Sequence, residues 1–185
     1  MKIDRRLNLV LPLVEGDGTN KKIRGYVHSS AIASDVFHAY YKPMGRALNA
    51  IYRDSLGLMG ARLAHLTLKD AAKELGMWEG EAGVERGLMN EIYQKTMVML
   101  PGQNGWESVP YLQAGLSAED RDEIEGAVVY FTLASSLHRR AEAEKIINSA
   151  SNLWSAQTES LNSTEFLNSL RTSSKAESSG ASPTA

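Results

Sequence analysis

Hydrophobic positions near the start of the chain recur at every second residue. One side of the segment RLNLVLPLV carries four leucines, at Leu7, Leu9, Leu11 and Leu13. A period of two is typical of a β-strand, and Pro12 favours an edge strand because proline donates no hydrogen bond to a neighbouring strand. The turn-forming segment EGDGTNKK follows, and IRGYVHS then provides a second short strand. These residues predict a β-hairpin over about residues 6–28.

From Ser34 onward the hydrophobic positions recur every three or four residues, which is the period of a helix. The first predicted helix begins at Ser34, whose hydroxyl is a suitable N-cap, and continues to about residue 52. Pro43 lies inside this helix and is expected to kink or split it, because its ring clashes with the preceding turn. Gly57 and Gly60 then indicate a break.

Two further helices are predicted in the middle of the chain. The second runs over about residues 59–75, with Gly76 as its expected C-terminal cap. Its hydrophobic positions include Leu63, Leu66 and Ala72. The third runs over about residues 84–100 and ends before Pro101. Its stripe consists of Val84, Leu88, Ile92 and Met99. The segment GQNGWESVPYLQAGL that follows is predicted to be irregular, with one short helical turn.

The clearest helix signal lies in the last third of the chain. The segment SAED at residues 117–120 is typical of a capped helix start, and a helix is predicted over about 118–138. Its expected stripe is Ile124, Val128, Phe131 and Ser135. Another helix is predicted over about 141–157, and one or two final helical turns are predicted over residues 164–170.

Together these elements predict a mainly α fold. An N-terminal β-hairpin precedes a compact bundle of four to six helices, and residues 1–170 are expected to form a single domain. After Arg171 no hydrophobic residue larger than alanine occurs. Residues 171–185 are therefore expected to be a disordered polar tail.

Composition narrows the classes of function. The chain has 185 residues, of which 43% are hydrophobic and 23% charged, so one domain can bury a sizeable core. The formal net charge of −2 predicts no general attraction to nucleic acid or to an anionic membrane. The chain has no cysteine, which excludes disulfides and thiolate catalysis and is consistent with a reducing compartment.

The hydrophobic runs are too short for a membrane protein. None approaches the roughly 20 residues that span a bilayer. The N-terminal run at residues 7–14 contains Asn8 and Pro12 and is not followed by a small-x-small cleavage site, so we interpret it as a strand rather than a secretory signal. The sequence predicts a soluble cytosolic protein.

Residues that often carry chemistry are present, but their spacing matches no catalytic motif. The four histidines, which we interpret as structural or solvated, are His28, His38, His65 and His138. The segment GDGTN at 16–20 lacks the further acidic residues of a calcium loop. The sequence contains no GxGxxG, GxxxxGK or GxSxG pattern. We therefore expect a protein that is not an enzyme and has no catalytic residue, no cofactor and no metal site.

The order of segments along the chain resembles that of a phage protein family. These segments are MKIDRRLNLVLPL, YVHSSAIASDVFHAYY, GLMNEIYQKTMVMLPGQNGWESVPY, EGAVVYFTLASSLHRRAE and LWSAQTESLNSTEFLNSLRTSS. In their order and general residue pattern these segments are similar to the tail assembly chaperones of bacteriophages with long, non-contractile tails. The similarity extends over most of residues 1–175.

The resemblance implies a non-enzymatic helper that acts in the host cell cytoplasm. Such chaperones bind the tape measure protein, a very long helical chain, and assist the tail tube protein as it polymerises around it. They are often made in two forms through a ribosomal frameshift near the 3′ end of the gene. They are generally absent from the mature virion. The implied partners are thus the tape measure and tail tube proteins, with no nucleic acid and no membrane, and the oligomeric state is left open.

The family supplies no residue set that can be transferred to this sequence, so the docking element is chosen from the sequence pattern. The segment LNSTEFLNSL has hydrophobic residues at helix-like spacing, namely Leu161, Phe166, Leu167 and Leu170. These residues either dock a partner or pack back on the domain. The polar tail beside them is either a tether that holds a partner at high local concentration or a terminus without a task.

Two other classes of function remain open. A structural head–tail completion or tail-terminator protein would use an edge of the hairpin to join neighbouring subunits. A small regulator or nucleic-acid binder would use Lys21, Lys22 and Arg24 near the hairpin turn, although the net charge counts against it.

Overall fold

A computed structural model describes residues 2–4, 8–15, 22–54, 61–78, 80, 87–103, 105–138, 141–146 and 160–161. The strands are β1 Lys2–Asp4, β2 Leu9–Glu15, β3 Lys22–Ser29, β4 Thr96–Gly102, β5 Gly105–Pro110 and β6 Ser160–Leu161. The helices are α1 Ser34–Asp54, α2 Ala64–Glu74, α3 Leu88–Gln94, α4 Ala118–Leu137 and α5 at residues 141–146, with a 3₁₀ turn at Tyr111–Gln113.

The strands form one sheet in the order β5-β4-β3-β2-β1-β6. Neighbouring strands from β5 to β1 are antiparallel, and the short β1 and β6 are parallel to each other. The four longer strands, β2 to β5, carry most of the pairing. The fold is therefore α+β, and the mainly α fold predicted from the sequence is wrong.

The error arises in the segment predicted as a helix over residues 84–100. Helix α3 ends at Gln94, and β4 begins two residues later. Met99 fits the helical stripe of the preceding residues, but Thr96 and Val98 are buried while Met97 and Met99 are only partly buried. That alternation and the β-branched side chains favour a strand. The segment after it, predicted to be irregular, forms β5 and the 3₁₀ turn.

Strands β2 and β3 lie where the alternating pattern places a hairpin, and they pair from Leu9–Ser29 to Glu15–Lys22. They do not form a separate hairpin, because β4 pairs with the other edge of β3 and β1 pairs with β2. Pairing with β1 reaches only Leu9 and Val10 of β2. At Pro12, β2 has no described neighbour on that side, so no ladder donor is missing there.

Two of the helices show the effects expected of Pro43 and Gly76. Helix α1 is kinked at Tyr40, whose φ and ψ are −113° and 17°, three residues before the proline. Helix α2 ends with Gly76 at φ 67°. The N–H groups of Gly76 and Met77 donate to the carbonyl groups of Lys73 and Ala72, which is the Schellman pattern.

Helix α4 forms the centre of the core. Its N-terminus has a capping box, in which the Asp120 N–H donates to the Ser117 hydroxyl and the Ser117 N–H donates to the Asp120 carboxylate. Arg24 of β3 forms an ion pair with Asp120 and so connects the sheet to this helix end. Helix α4 contacts α1, α2, α3 and β2. All of its residues from Gly126 to Ala134 are buried, so the buried surface of this helix is much wider than the single predicted stripe.

Candidate functional site

The structure describes little of the docking element chosen from the sequence. Leu161 lies in β6, where its main chain is paired with Asp4 of β1. Phe166, Leu167 and Leu170 lie outside the described residues, as does the polar tail at 171–185. A docking role for these four residues therefore stays a prediction.

The basic cluster near the predicted hairpin turn is also only partly described. Lys21 lies outside the described residues, and Lys22 is exposed at the start of β3. Arg24 is engaged by Asp120 at the N-terminus of α4. An arginine that holds a helix end to the sheet is less available to a phosphate, so this cluster gives little support to nucleic-acid binding.

A surface that the sequence pattern did not single out lies along α2. Its side chains that pack into the core are Ala64, His65, Leu68, Ala71 and Ala72. Leu66 is 46% exposed, and Leu63, just before the helix, is 43% exposed. Single exposed leucines are common on protein surfaces. These two are informative because each lines a depression between α2 and α4.

Another depression with a largely apolar lining, here called the Trp78 cleft, has a volume of about 220 Å³. It lies between α2, the residues after α2, α3, the 3₁₀ turn and α4. Its apolar lining includes Leu68, Ala72, Met77, Trp78, Met89, Tyr93 and Leu112. Leu112 at the rim is 54% exposed. Methionine and aromatic side chains adapt well to the shape of an inserted apolar group.

The lining of the Trp78 cleft also includes the polar side chains of Asn90 and Glu125. Asn90 is only 5% exposed, and its Nδ2 has no hydrogen-bond partner among the described residues. The Tyr111 hydroxyl donates to Glu125 Oε1 at 3.0 Å. Burial raises the pKa of Tyr111, and the negative charge of Glu125 raises it further, so the phenol remains a hydrogen-bond donor. The Glu125 carboxylate therefore already has a partner within the protein.

Two lysines lie beside Trp78, and an arginine lines the cleft. Lys69 Nζ and Lys73 Nζ lie 5.9 and 5.8 Å from the centroid of the Trp78 ring, which is cation–π distance. Arg121 of α4 also lines the cleft and is exposed. Lys73 also forms an ion pair with Asp70, with 3.9 Å between Nζ and Oδ1. Exposed ion pairs of this kind contribute little to stability.

A second depression of about 310 Å³, here called the His65 hollow, lies further toward the start of α2. It is lined by Arg62, Leu63, His65, Leu66 and Asp122. His65 is 4% exposed, and burial lowers its pKa in spite of the nearby Glu125 and Asp122 carboxylates, so the ring is neutral at pH 7. Glu125 lines the Trp78 cleft and lies close enough to His65 for its charge to affect the pKa of that ring. The two depressions share no lining residue but are therefore neighbours. Together they are called the α2–α4 groove below.

The described residues form apolar depressions with charged groups beside them. Among them, no group of three or more histidine, aspartate or glutamate side chains could hold a metal ion. Within the same residues, no helix is both long and apolar enough to cross a membrane. An apolar groove with a charged rim is typical of helix recognition.

Comparisons with protein-family models, with curated proteins and with solved structures found no match. The similarity to tail assembly chaperones therefore rests on the order of the sequence segments quoted above.

Proposed function

We propose that this protein is a non-enzymatic tail assembly chaperone of a long-tailed bacteriophage. In the host cell cytoplasm it binds the tape measure protein and assists polymerisation of the tail tube protein, and it is absent from the finished virion. The observation that best supports this proposal is the α2–α4 groove, in which exposed leucines adjoin an apolar cleft.

The physical argument concerns a long helical chain before it is enclosed by tube subunits. Its apolar stripes are exposed to solvent, and such stripes cause aggregation. The groove follows α2, whose 11 residues extend over about 16 Å at 1.5 Å per residue. A partner helix lying along it would bury about three of its own turns, with anchors spaced three or four residues apart. Temporary cover of this kind keeps the partner soluble.

The test is co-expression with the tape measure protein of the same phage. We expect the wild-type chain to increase the soluble tape measure protein and to co-purify with it. Leu66→Asp places a charge in the groove and should lower the amount of recovered complex at least fivefold. Tyr41→Asp is the matched control, because Tyr41 is 53% exposed on α1, outside the groove.

Circular dichroism must first show that both variants are folded. If the wild-type chain neither solubilises nor retains the tape measure protein, the proposed function is wrong. If Leu66→Asp and Tyr41→Asp retain it equally well, the groove is not the binding surface.

The structural virion alternative depends on a free edge of the sheet. Strand β3 lies inside the sheet, but the described part of β1 pairs only with Leu9 and Val10 of β2. Such a protein would use the rest of that edge of β2 or the outer strand β5. Mass spectrometry of purified virions separates the two proposals, because a completion protein is retained in a few copies and a chaperone is lost.

A further inference from the structure

We infer that the Trp78 cleft selects an acidic amphipathic helix, one that inserts an apolar side chain into the cleft and places a carboxylate side chain beside it. The inference rests on the proposed function in one respect, namely that the occupant of the α2–α4 groove is a helix of another protein. It adds the chemistry by which that helix is chosen.

The volume and lining of the cleft favour a ligand that inserts one large apolar side chain. A volume of about 220 Å³ corresponds to about seven water molecules at roughly 30 Å³ each. Leu68, Met77 and Trp78 offer these waters few hydrogen bonds. Replacement of poorly bound water by one large apolar side chain is favourable.

Asn90 calls for a hydrogen-bond acceptor next to that apolar side chain. The Asn90 side chain is only 5% exposed, and its Nδ2 has no hydrogen-bond partner among the residues that the structure describes. A buried donor without a partner is unfavourable, and buried polar groups in native proteins are rarely left so. A purely apolar ligand would leave this donor without a partner, whereas a side-chain oxygen that reaches it would accept its hydrogen bond.

The charges around the cleft make a carboxylate the favoured acceptor. Lys69 and Lys73 lie beside Trp78, and Arg121 lines the cleft. Among the described lining residues the one carboxylate, Glu125, already accepts from Tyr111. A glutamate or aspartate on the incoming helix satisfies Asn90 and is attracted by these cations. A lysine in the same place cannot accept the hydrogen bond from Asn90, and the cations around the cleft repel it. The rim therefore discriminates between helices that share the same apolar stripe.

The probes are two fluorescein-labelled 20-residue helical peptides with an identical leucine and phenylalanine stripe. One carries glutamate and the other lysine at the positions that flank the stripe. Fluorescence anisotropy at low salt should show the glutamate peptide binding the wild-type protein at least tenfold more tightly. The preference should decrease as salt is added.

Three variants assign this preference to the cleft. Arg121→Glu should reduce the preference to less than threefold. Lys42→Glu makes the same charge change on the exposed face of α1, outside the groove, and should leave the preference unchanged. Asn90→Leu should weaken binding of the glutamate peptide about fivefold without lowering the melting temperature, because the unpaired donor is removed from the empty cleft.

Each combination of results decides between the two proposals. Equal or tighter binding of the lysine peptide overturns the inference. If neither peptide binds while Leu66→Asp abolishes retention of the tape measure protein, the inference falls and the proposed function stands. If the glutamate peptide binds with the expected preference but the tape measure protein does not, the proposed function falls and the chemistry of the cleft stands.

Discussion

The two helices that form the groove, α4 and α2, differ in how far their apolar side chains are buried. In α4 every residue from Gly126 to Ala134 is buried, and even Thr132 is accommodated because its hydroxyl donates to the Val128 carbonyl at 2.8 Å. In α2 the buried side consists largely of alanines, and Leu66 faces solvent. Apolar residues thus stabilise the fold in α4, whereas in α2 some of them remain available to a partner.

Truncation of one large side chain in each helix tests this difference most strongly. Phe131 of α4 is fully buried, and Phe131→Ala should lower the free energy of unfolding by about 3–5 kcal/mol. Leu66→Ala on α2 should change it by less than about 0.5 kcal/mol. Urea denaturation of both variants measures the two values. Comparable losses would mean that Leu66 belongs to the core.

Glycine substitutions compare a crowded helix with an open one. A Cβ at Gly126 of α4 would lie 2.6 Å from the Arg62 carbonyl oxygen, against main chain that cannot easily move. Gly126→Ala should therefore destabilise the protein by about 1–3 kcal/mol in spite of the higher helix propensity of alanine. Gly45→Ala in α1 is the control, because a Cβ there meets no atom within 4 Å. It should stabilise the protein by about 0.5–1 kcal/mol, and loss of stability in the control would contradict the crowding argument.

The start of α4 has a stabilising cap that α2 lacks. Ser117 accepts a hydrogen bond from the Asp120 N–H at 3.1 Å, whereas the residue before α2, Leu63, forms no side-chain cap. Ser117→Ala should lower the free energy of unfolding by about 1 kcal/mol. Thermal denaturation of this variant and of Leu63→Ala measures the contrast. A loss at Leu63 as large as that at Ser117 would show that the leucine is structural.

A smaller, pH-dependent effect is expected at the same end of α4. Partial burial alone would raise the pKa of Asp120, but hydrogen bonds from Ser117 and Arg24 and the positive charge of Arg24 outweigh it, so its pKa lies below the ordinary value of 3.8. Because the folded pKa is depressed, this stabilisation is present above about pH 4 and is lost as pH falls through the folded pKa. The melting temperature should fall less between pH 5 and pH 3 in Asp120→Asn than in the wild-type protein. An identical fall would show that the ion pair contributes nothing.

Signals confined to a few neighbouring residues allowed parts of the fold to be predicted. The SAED segment specifies a helix start through its own side chains, and Gly76 specifies a helix end through its φ angle. Strand β4 could not be predicted in this way. Met99 is compatible with both a helical stripe and an alternating strand, and only pairing with β3 and β5, which lie far apart in sequence, selects the strand.

The candidate site was less accessible to sequence reasoning than the fold. Leu63, Leu66 and Ala72 all appear as hydrophobic positions of the second helix, yet the structure buries Ala72 and exposes the two leucines. The residues just before α2 approach α4 closely at Gly126, where the Arg62 carbonyl leaves no room for a Cβ, and no pattern within α2 reveals this contact. The Trp78 cleft brings together α2, α3, α4 and a 3₁₀ turn, so it exists only once these elements have packed.

The pairing of β1 with β6 has a consequence for the order of events during synthesis. Ile3 lies opposite Ser160, so the ribosome makes one strand of this ladder more than 150 residues before the other. Until the second strand emerges, the nascent chain carries an uncovered border of main-chain donors and acceptors, which is a template for pairing with another polypeptide. Completion of the sheet therefore cannot precede the emergence of residue 160 from the ribosome.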